Sequence, residues 1–215
     1  MTSAQRPPTP VTWRGEPVPW VVRWTGETID PQVRLERRAD GLAYHDERSE
    51  DRRFGVLWYR NRTGRGGEPE LTELHTGRLL ACMTRNLCQV CGGPATDPHG
   101  RIQWLFPRDE WELLAEPANP TIVTTPPTCR ECWPLARRFC PHLRATGTVG
   151  VSVAAHRPVA VYGDLYDPTG PATPCEVNAM VPLTTPARRL VLGKQLVVEL
   201  SDIRTEPSSP RKESR

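Results

Sequence analysis

Leu87–Gly100 reads LCQVCGGPATDPHG, and Pro126–Leu143 reads PPTCRECWPLARRFCPHL. Each stretch holds one Cys-x-x-Cys pair, Cys88 with Cys91 and Cys129 with Cys132. Two residues between cysteines let both thiolates of one turn reach a single ion, and two such turns complete the four-sulfur set that zinc takes in structural sites. Four protein ligands leave no position open for water or substrate, so such a metal holds the chain together. Gly92-Gly93 supplies the permissive backbone that a metal knuckle needs. The pairs are 37 residues apart (92–128), against about 15–20 in compact zinc fingers. The longer insert carries a small sheet or loop between the knuckles. The competing account is four reduced, buried cysteines that bind nothing. The sequence predicts structural zinc on Cys88, Cys91, Cys129 and Cys132.

Three further cysteines and one histidine surround these pairs. Cys140 lies eight residues after Cys132, on the same face if one helix runs through both. It and His142 are the alternatives should one of the four predicted ligands be replaced, but core packing is the default for Cys140 and for Cys82. Cys175, in TGPATPCEV, has no sequence partner.

Outward from the knuckles, periodicity sets the elements. VTWRGEPVPWVVRW reads as strand, with Trp20, Val22 and Trp24 on one face. VRLERRADGLAY predicts a hairpin around Asp40-Gly41, and FGVLWYR alternates through Phe54, Val56 and Trp58. HTGRLLACMTRNL has helical spacing at Leu80, Met83 and Leu87 and runs into Cys88. RIQWLF is a short strand, PRDEWELL a helical turn, and NPTIVTTPP extended. After Cys132 a helix is expected with Pro134 in its first turn and Leu135, Phe139 and Leu143 inward. TVGVSVAAHRPVAVYGDLY predicts two strands joined at His156-Arg157-Pro158. TPARRLVLGKQLVVELSDI predicts a closing helix, capped by Thr185 and Pro186, that buries Leu192, Leu196, Leu200 and Ile203 with Val197 beside them.

The expected fold class is α+β, with antiparallel sheets and a few helices packed around a zinc knuckle made of two Cys-x-x-Cys turns. Residues 11–204 form a single domain in this scheme. It comprises an N-terminal sheet at 11–60, the knuckle core at 71–145, and C-terminal strands and helix at 146–204. The Pro-rich start (1–10) and polar end (205–215) are expected to be disordered.

Of 215 residues, 37% are hydrophobic and 25% charged, an ordinary globular balance once the polar ends are set aside. No apolar run approaches the roughly 20 residues of a membrane helix. The N-terminus lacks the apolar core of a signal peptide. A cytoplasmic location without membrane association is expected. Thiols stay reduced there, so seven cysteines point to metal rather than disulfides. The net charge of +3 does not by itself imply nucleic acid. Of 28 basic residues only Lys194 and Lys212 are lysine, as codon usage in a GC-rich genome would produce.

An H-N-H type endonuclease is the sharpest catalytic alternative, because many such enzymes set a catalytic metal between two zinc-binding Cys-x-x-Cys pairs. That chemistry needs a His base and a further His or Asp on the catalytic metal. Here the interval holds one histidine, His99, in the turn-like DPHG after Asp97. A zinc deaminase needs His-x-Glu upstream of Pro-Cys-x-x-Cys, and neither Cys-x-x-Cys pair here directly follows a proline. P-loop, dinucleotide and nucleophile-elbow motifs are likewise missing. No catalytic residue and no small-molecule cofactor are expected. Arg60, Arg62 and Arg65 in RNRTGRGG, and Arg137 and Arg138 after the second knuckle, are the candidate partner-binding residues. They suit phosphates or an acidic protein face, against a background of ordinary solvated arginine.

WRGEPVPW, LLACMTRNLCQVCGGPA, PPTCRECWPLARRFCPHLR, VYGDLY and LGKQLVVEL resemble segments of a group of actinobacterial and actinophage zinc-knuckle proteins. The resemblance runs from about Trp13 to Leu200. It implies a high-GC host and the same knuckles at Cys88, Cys91, Cys129 and Cys132, and it carries over no activity. The expected function is a non-catalytic, zinc-stabilised regulator or adaptor. Its partner would be a protein, for example a DNA-acting enzyme such as a phage recombinase, with DNA touched directly or through that partner.

Overall fold

The computed structural model describes residues 8–29, 34–115, 120–169 and 173–206. The expectations of disorder for 1–7 and 207–215 lie outside the described residues. Residues 8–10 have no regular structure, and the last strand runs to Thr205, one residue into the expected tail.

The strands in the first third are β1 (Val11–Trp13), β2 (Glu16–Val18), β3 (Val22–Trp24), β4 (Leu35–Arg38), β5 (Gly41–Tyr44), β6 (Arg52–Arg53), β7 (Val56–Trp58) and β8 (Pro69–Leu74). Helix α1 (Thr76–Arg85), strand β9 (Ile102–Pro107), helix α2 (Arg108–Leu114) and strand β10 (Ile122–Val123) follow. The chain continues through α3 (Trp133–Phe139), α4 (Pro141–Thr146), β11 (Thr148–Tyr166), β12 (Pro174–Pro182) and β13 (Val191–Thr205). The fold is α+β, with mostly antiparallel strands and few helices. No helix of the described residues is long and apolar enough to cross a membrane.

The chain forms two compact units, each built from separated segments. One comprises Met1–Trp20, Ala81–Arg157 and Glu199–Arg215; the other comprises Val21–Leu80 and Pro158–Val198. Helix α1 and the long strands β11 and β13 contribute residues to both.

In the first unit, β9 pairs antiparallel with the start of β11, from Thr148 opposite Pro107 to Val153 opposite Ile102. All six residues of β9 are buried, and Phe106 stacks on Trp111 of α2 with ring centroids 5.3 Å apart. In the second unit the strands run in the order β12-β11-β13-β7-β6. The β13–β7 pair is parallel, through Leu192 opposite Leu57, which makes the sheet mixed. Leu42, Tyr44, Leu57, Tyr166 and Leu192 pack as its core. The β4–β5 hairpin forms as expected, with Arg38 opposite Gly41. The other strands expected at 11–60 divide among partners: β1 pairs with β2, β3 with β8, and β6 with β7.

Three local expectations are corrected. The closing helix is a short 3-10 turn at Pro186–Leu190 followed by the fifteen-residue strand β13. Leu192, Leu196 and Leu200 are buried, but so are Val191 before them and Val197 and Val198 between them, which marks a strand covered on both faces. Residues 148–166 form one strand, not two. Pro158 falls between the β9-paired stretch (148–153) and the β12-paired stretch (160–166), so its missing N–H breaks neither of those ladders. The helix after Cys132 breaks at Cys140, whose backbone is extended (φ −80°, ψ 116°), and Pro141 begins α4.

Candidate metal centre

The sulfur atoms of Cys88, Cys91, Cys129 and Cys132 lie within 4.8 Å of one another. All four residues are buried, at 0%, 5%, 1% and 6% exposure, and none forms a disulfide. The Cys91 and Cys129 sulfurs are 3.8 Å apart. A disulfide needs about 2.05 Å. A tetrahedron of thiolates about 2.3 Å from a central zinc has edges of about 3.8 Å.

Local backbone chemistry shapes the first turn. Helix α1 ends at Arg85, and the chain reverses so that Cys88 N–H donates to Gly93 O at 2.7 Å and Gly92 N–H to Cys88 O at 2.8 Å. The Val90 and Gly93 amides each lie 3.4 Å from a sulfur, Cys88 Sγ and Cys91 Sγ respectively. Amides aimed at sulfur favour the thiolate over the thiol. Gly92 has φ +74°, and a Cβ there would meet the Trp20 ring at 2.9 Å. Both conditions demand glycine.

The second turn is simpler. Cys132 N–H donates to Cys129 O at 2.9 Å, and α3 starts directly afterwards. Trp133 Nε1 bonds Thr128 O at 2.8 Å, which fixes the approach to Cys129. Leu135 and Ala136 of α3, with Val90 and Ala95, form the apolar wall around the sulfurs.

The two turns are also sewn together. Gln103, on β9, accepts the Thr128 N–H at 2.8 Å and donates its own N–H to Ala95 O at 2.8 Å. Gln89 reaches across with Nε2 to Thr128 Oγ1 at 2.9 Å and Pro126 O at 3.0 Å. The insert between the cysteine pairs carries β9, α2 and β10, and Gln103 near the start of β9 bonds the flanks of both cysteine turns.

Burial alone raises thiol pKa values. Here hydrogen bonds from Cys129, Cys132 and Cys91 hold Cys88 well below the usual thiol range, and Cys91 is lowered by Cys129 and Cys132. Cys129 is pushed up by its contacts with Cys132, Cys88 and Cys91. Cys132 is also pushed up, against a lowering contact from Cys129, by Cys88 and Cys91. Four thiols at this distance share protons because four bare thiolates would repel, and a divalent cation removes that conflict.

The remaining sequence candidates are placed as follows. Cys82 is buried in α1, Cys140 is half-buried between α3 and α4, and Cys175 is exposed beside Leu165 O. His142 is exposed, with Nε2 3.6 Å from Asp109. None of these four belongs to the sulfur cluster. His99 sits in an exposed turn, where Asp97 accepts the His99 and Arg101 amides at 2.9 Å and Gln103 Nε2 at 3.0 Å.

The candidate partner-binding arginines differ among themselves. Arg60 lies over Tyr44 at 4.6 Å and pairs with Asp51 and Asp46, its side chain 16% exposed. It braces the second unit from within. Arg62 is exposed, whereas Arg65 is half-buried with its pKa lowered by burial and by Arg78. Arg137 bonds Thr148 Oγ1 at 2.9 Å and lies over Trp133, while Arg138 is exposed over Phe139.

Two buried polar groups in the second unit were not marked by sequence. Glu27, 1% exposed, takes a two-pronged contact from Arg78 and the Trp24 amide at 3.0 Å. Asp164 takes Lys194 Nζ and Tyr59 Oη, each at 2.6 Å. Partners 51 and 105 residues apart leave no local signal. The sole hint at Lys194 is a lysine kept in an arginine-dominated chain.

No protein-family model matches the chain, and no match was found among curated proteins or solved structures.

Proposed function

We propose that this protein is a non-catalytic binding module, a regulator or adaptor built around one structural zinc on Cys88, Cys91, Cys129 and Cys132. The observation that carries this reading is the buried cluster of four reduced thiols within 4.8 Å. An all-sulfur set selects a borderline-soft ion, and zinc in such a set has no site left for water or substrate. The ion's contribution is to fix the two turns, and with them α3, so that the surface after Cys132 is rigid. A macromolecule, protein or nucleic acid, is the partner such a surface serves.

The test pairs metal analysis with a cleavage assay on the full chain. Zinc-loaded protein should leave single- and double-stranded DNA intact in magnesium, manganese or nickel, because the segment between the pairs offers only His99 as a histidine. Cutting that disappears in His99→Ala would replace this reading with an H-N-H-like metal-dependent endonuclease.

A further inference from the structure

We infer that the helical pair α3–α4 is a docking face for the phosphate backbone of duplex nucleic acid, a step that rests on the binding-module reading above and names its ligand. From Cys129 to Gly147 the chain carries Arg130, Arg137, Arg138 and Arg144 against a single acid, Glu131. Arg108, at the start of α2, adds a fifth guanidinium beside the end of α4, where its amide bonds Gly147 O at 3.1 Å; of the five, Arg130 is paired with Glu206 at 2.6 Å, and Asp109 lies 3.6 Å from His142 of α4. Arg138 and Arg144 are exposed, and with Arg108 they have no ion-pair partner among the described residues. Arginine left unpaired at a surface is free to exchange counterions for phosphates.

The guanidinium groups are also held in place. Arg130 and Arg137 lie 5.5 and 5.8 Å from the same Trp133 ring, and Arg138 lies 5.1 Å from Phe139. Trp133 is itself 6% exposed and fixed to Thr128, next to Cys129. Stacking of this kind limits side-chain freedom, so less entropy is lost when a phosphate is engaged. The zinc turn is thus the support of the Trp133 platform.

Composition separates phosphate from a protein partner. Leu135, Phe139 and Leu143 are only partly exposed, and none of the large exposed apolar residues of the described chain lies on α3 or α4. Protein interfaces need an apolar or aromatic core inside a polar rim. Here the exposed positions of α3–α4 are Pro134, Arg138, Pro141, His142, Arg144 and Ala145. Contacts of this type position a protein on a duplex without reading bases.

The experiment is fluorescence anisotropy of full-length, zinc-loaded protein with a labelled duplex DNA of arbitrary sequence. Three to four phosphate contacts predict a loss of affinity of about 40–150-fold between 50 and 200 mM salt. Arg138→Glu with Arg144→Glu should weaken binding at least tenfold and flatten the salt slope by about two contacts. The milder Arg138→Gln with Arg144→Gln should do the same in reduced degree, with an unchanged melting temperature. Arg34→Glu, exposed in the other unit, should bind normally. Zinc content measured on the same samples separates the two claims, since duplex binding by metal-free protein would sink the zinc reading and leave this one standing. Absence of duplex binding at 50 mM salt, or binding only to an acidic polypeptide, would overturn it.

Discussion

Gln89 and Thr128, the residues beside Cys88 and Cys129, are joined side chain to side chain, Gln89 Nε2 donating to Thr128 Oγ1 at 2.9 Å. Gln89 N–H also donates to Pro127 O at 2.9 Å. These bonds hold the two cysteine turns together without any contribution from a metal. The approach of the two turns is therefore set in part by ordinary amide chemistry.

Gln89→Ala should accordingly loosen the centre without removing a ligand. Loss of the side-chain bonds to Thr128 and Pro126 is expected to cost about 1–2 kcal/mol. The signature is faster zinc loss to a chelator with unchanged zinc stoichiometry. Chelation kinetics identical to the parent would remove Gln89 from the account.

Gly92 gives a second test, of backbone rather than ligand chemistry. Gly92→Ala faces both a positive φ and the Trp20 ring. The strain is expected to destabilise the chain by about 1–3 kcal/mol in denaturant unfolding. In a Trp20→Ala background the steric part should vanish and the φ part remain, so the two changes should be non-additive. Full additivity would mean that the ring does not limit this turn.

Acid sensitivity should come partly from two histidines far from the sulfurs in sequence. His156 has its pKa lowered by burial, and His75 by burial and by Arg78. A group whose folded pKa is depressed supplies stability that is present above its unfolded value, about 6.5, and lost as pH falls toward the folded value. The melting temperature should therefore drop below about pH 6.5, and the decline should be shallower in a His75→Gln, His156→Gln double variant. Metal release at low pH is common to both proteins, so it is the difference between them that is read. Parallel curves would contradict the assignment.

Leu196 tests the strand that replaced the expected closing helix. It is 1% exposed in β13, and Leu196→Ala should cost about 2–5 kcal/mol by cavity formation. Val198, 0% exposed, lies two residues further on, on the same face of the strand. Val198→Asp should be as damaging or worse, because a buried unpaired charge follows. On a helix burying the leucine stripe, Val198 would have faced outward. A mild effect at Val198 would revive the helix.

Those outcomes bear on what the sequence could show. Helix α1 was legible because Leu80 and Met83 recur at helical spacing on a helix that is buried on one side only. The β4–β5 hairpin was legible from alternation around a turn signal. Strand β13 was not, because a strand covered on both faces loses its alternation, and leucines four apart then mimic a helix. The β-branched Val191, Val197 and Val198 were the contrary signal. At the candidate centre, the spacing of the cysteine pairs pointed to all four clustered residues. Their supports were hidden, since Gln103, Trp20 and Thr128 reach the cysteine turns through pairing that no local pattern encodes.

Zinc at the four sulfurs is the central claim, and native mass spectrometry with elemental analysis of the freshly purified, full-length chain tests it most directly. The account predicts one zinc per chain, with Cys88, Cys91, Cys129 and Cys132 protected from alkylation until a chelator is added, and loss of both zinc and folding in Cys88→Ser or Cys129→Ser. A folded chain with no metal, its four thiols reduced and its melting temperature unchanged by chelator or by those substitutions, would contradict it.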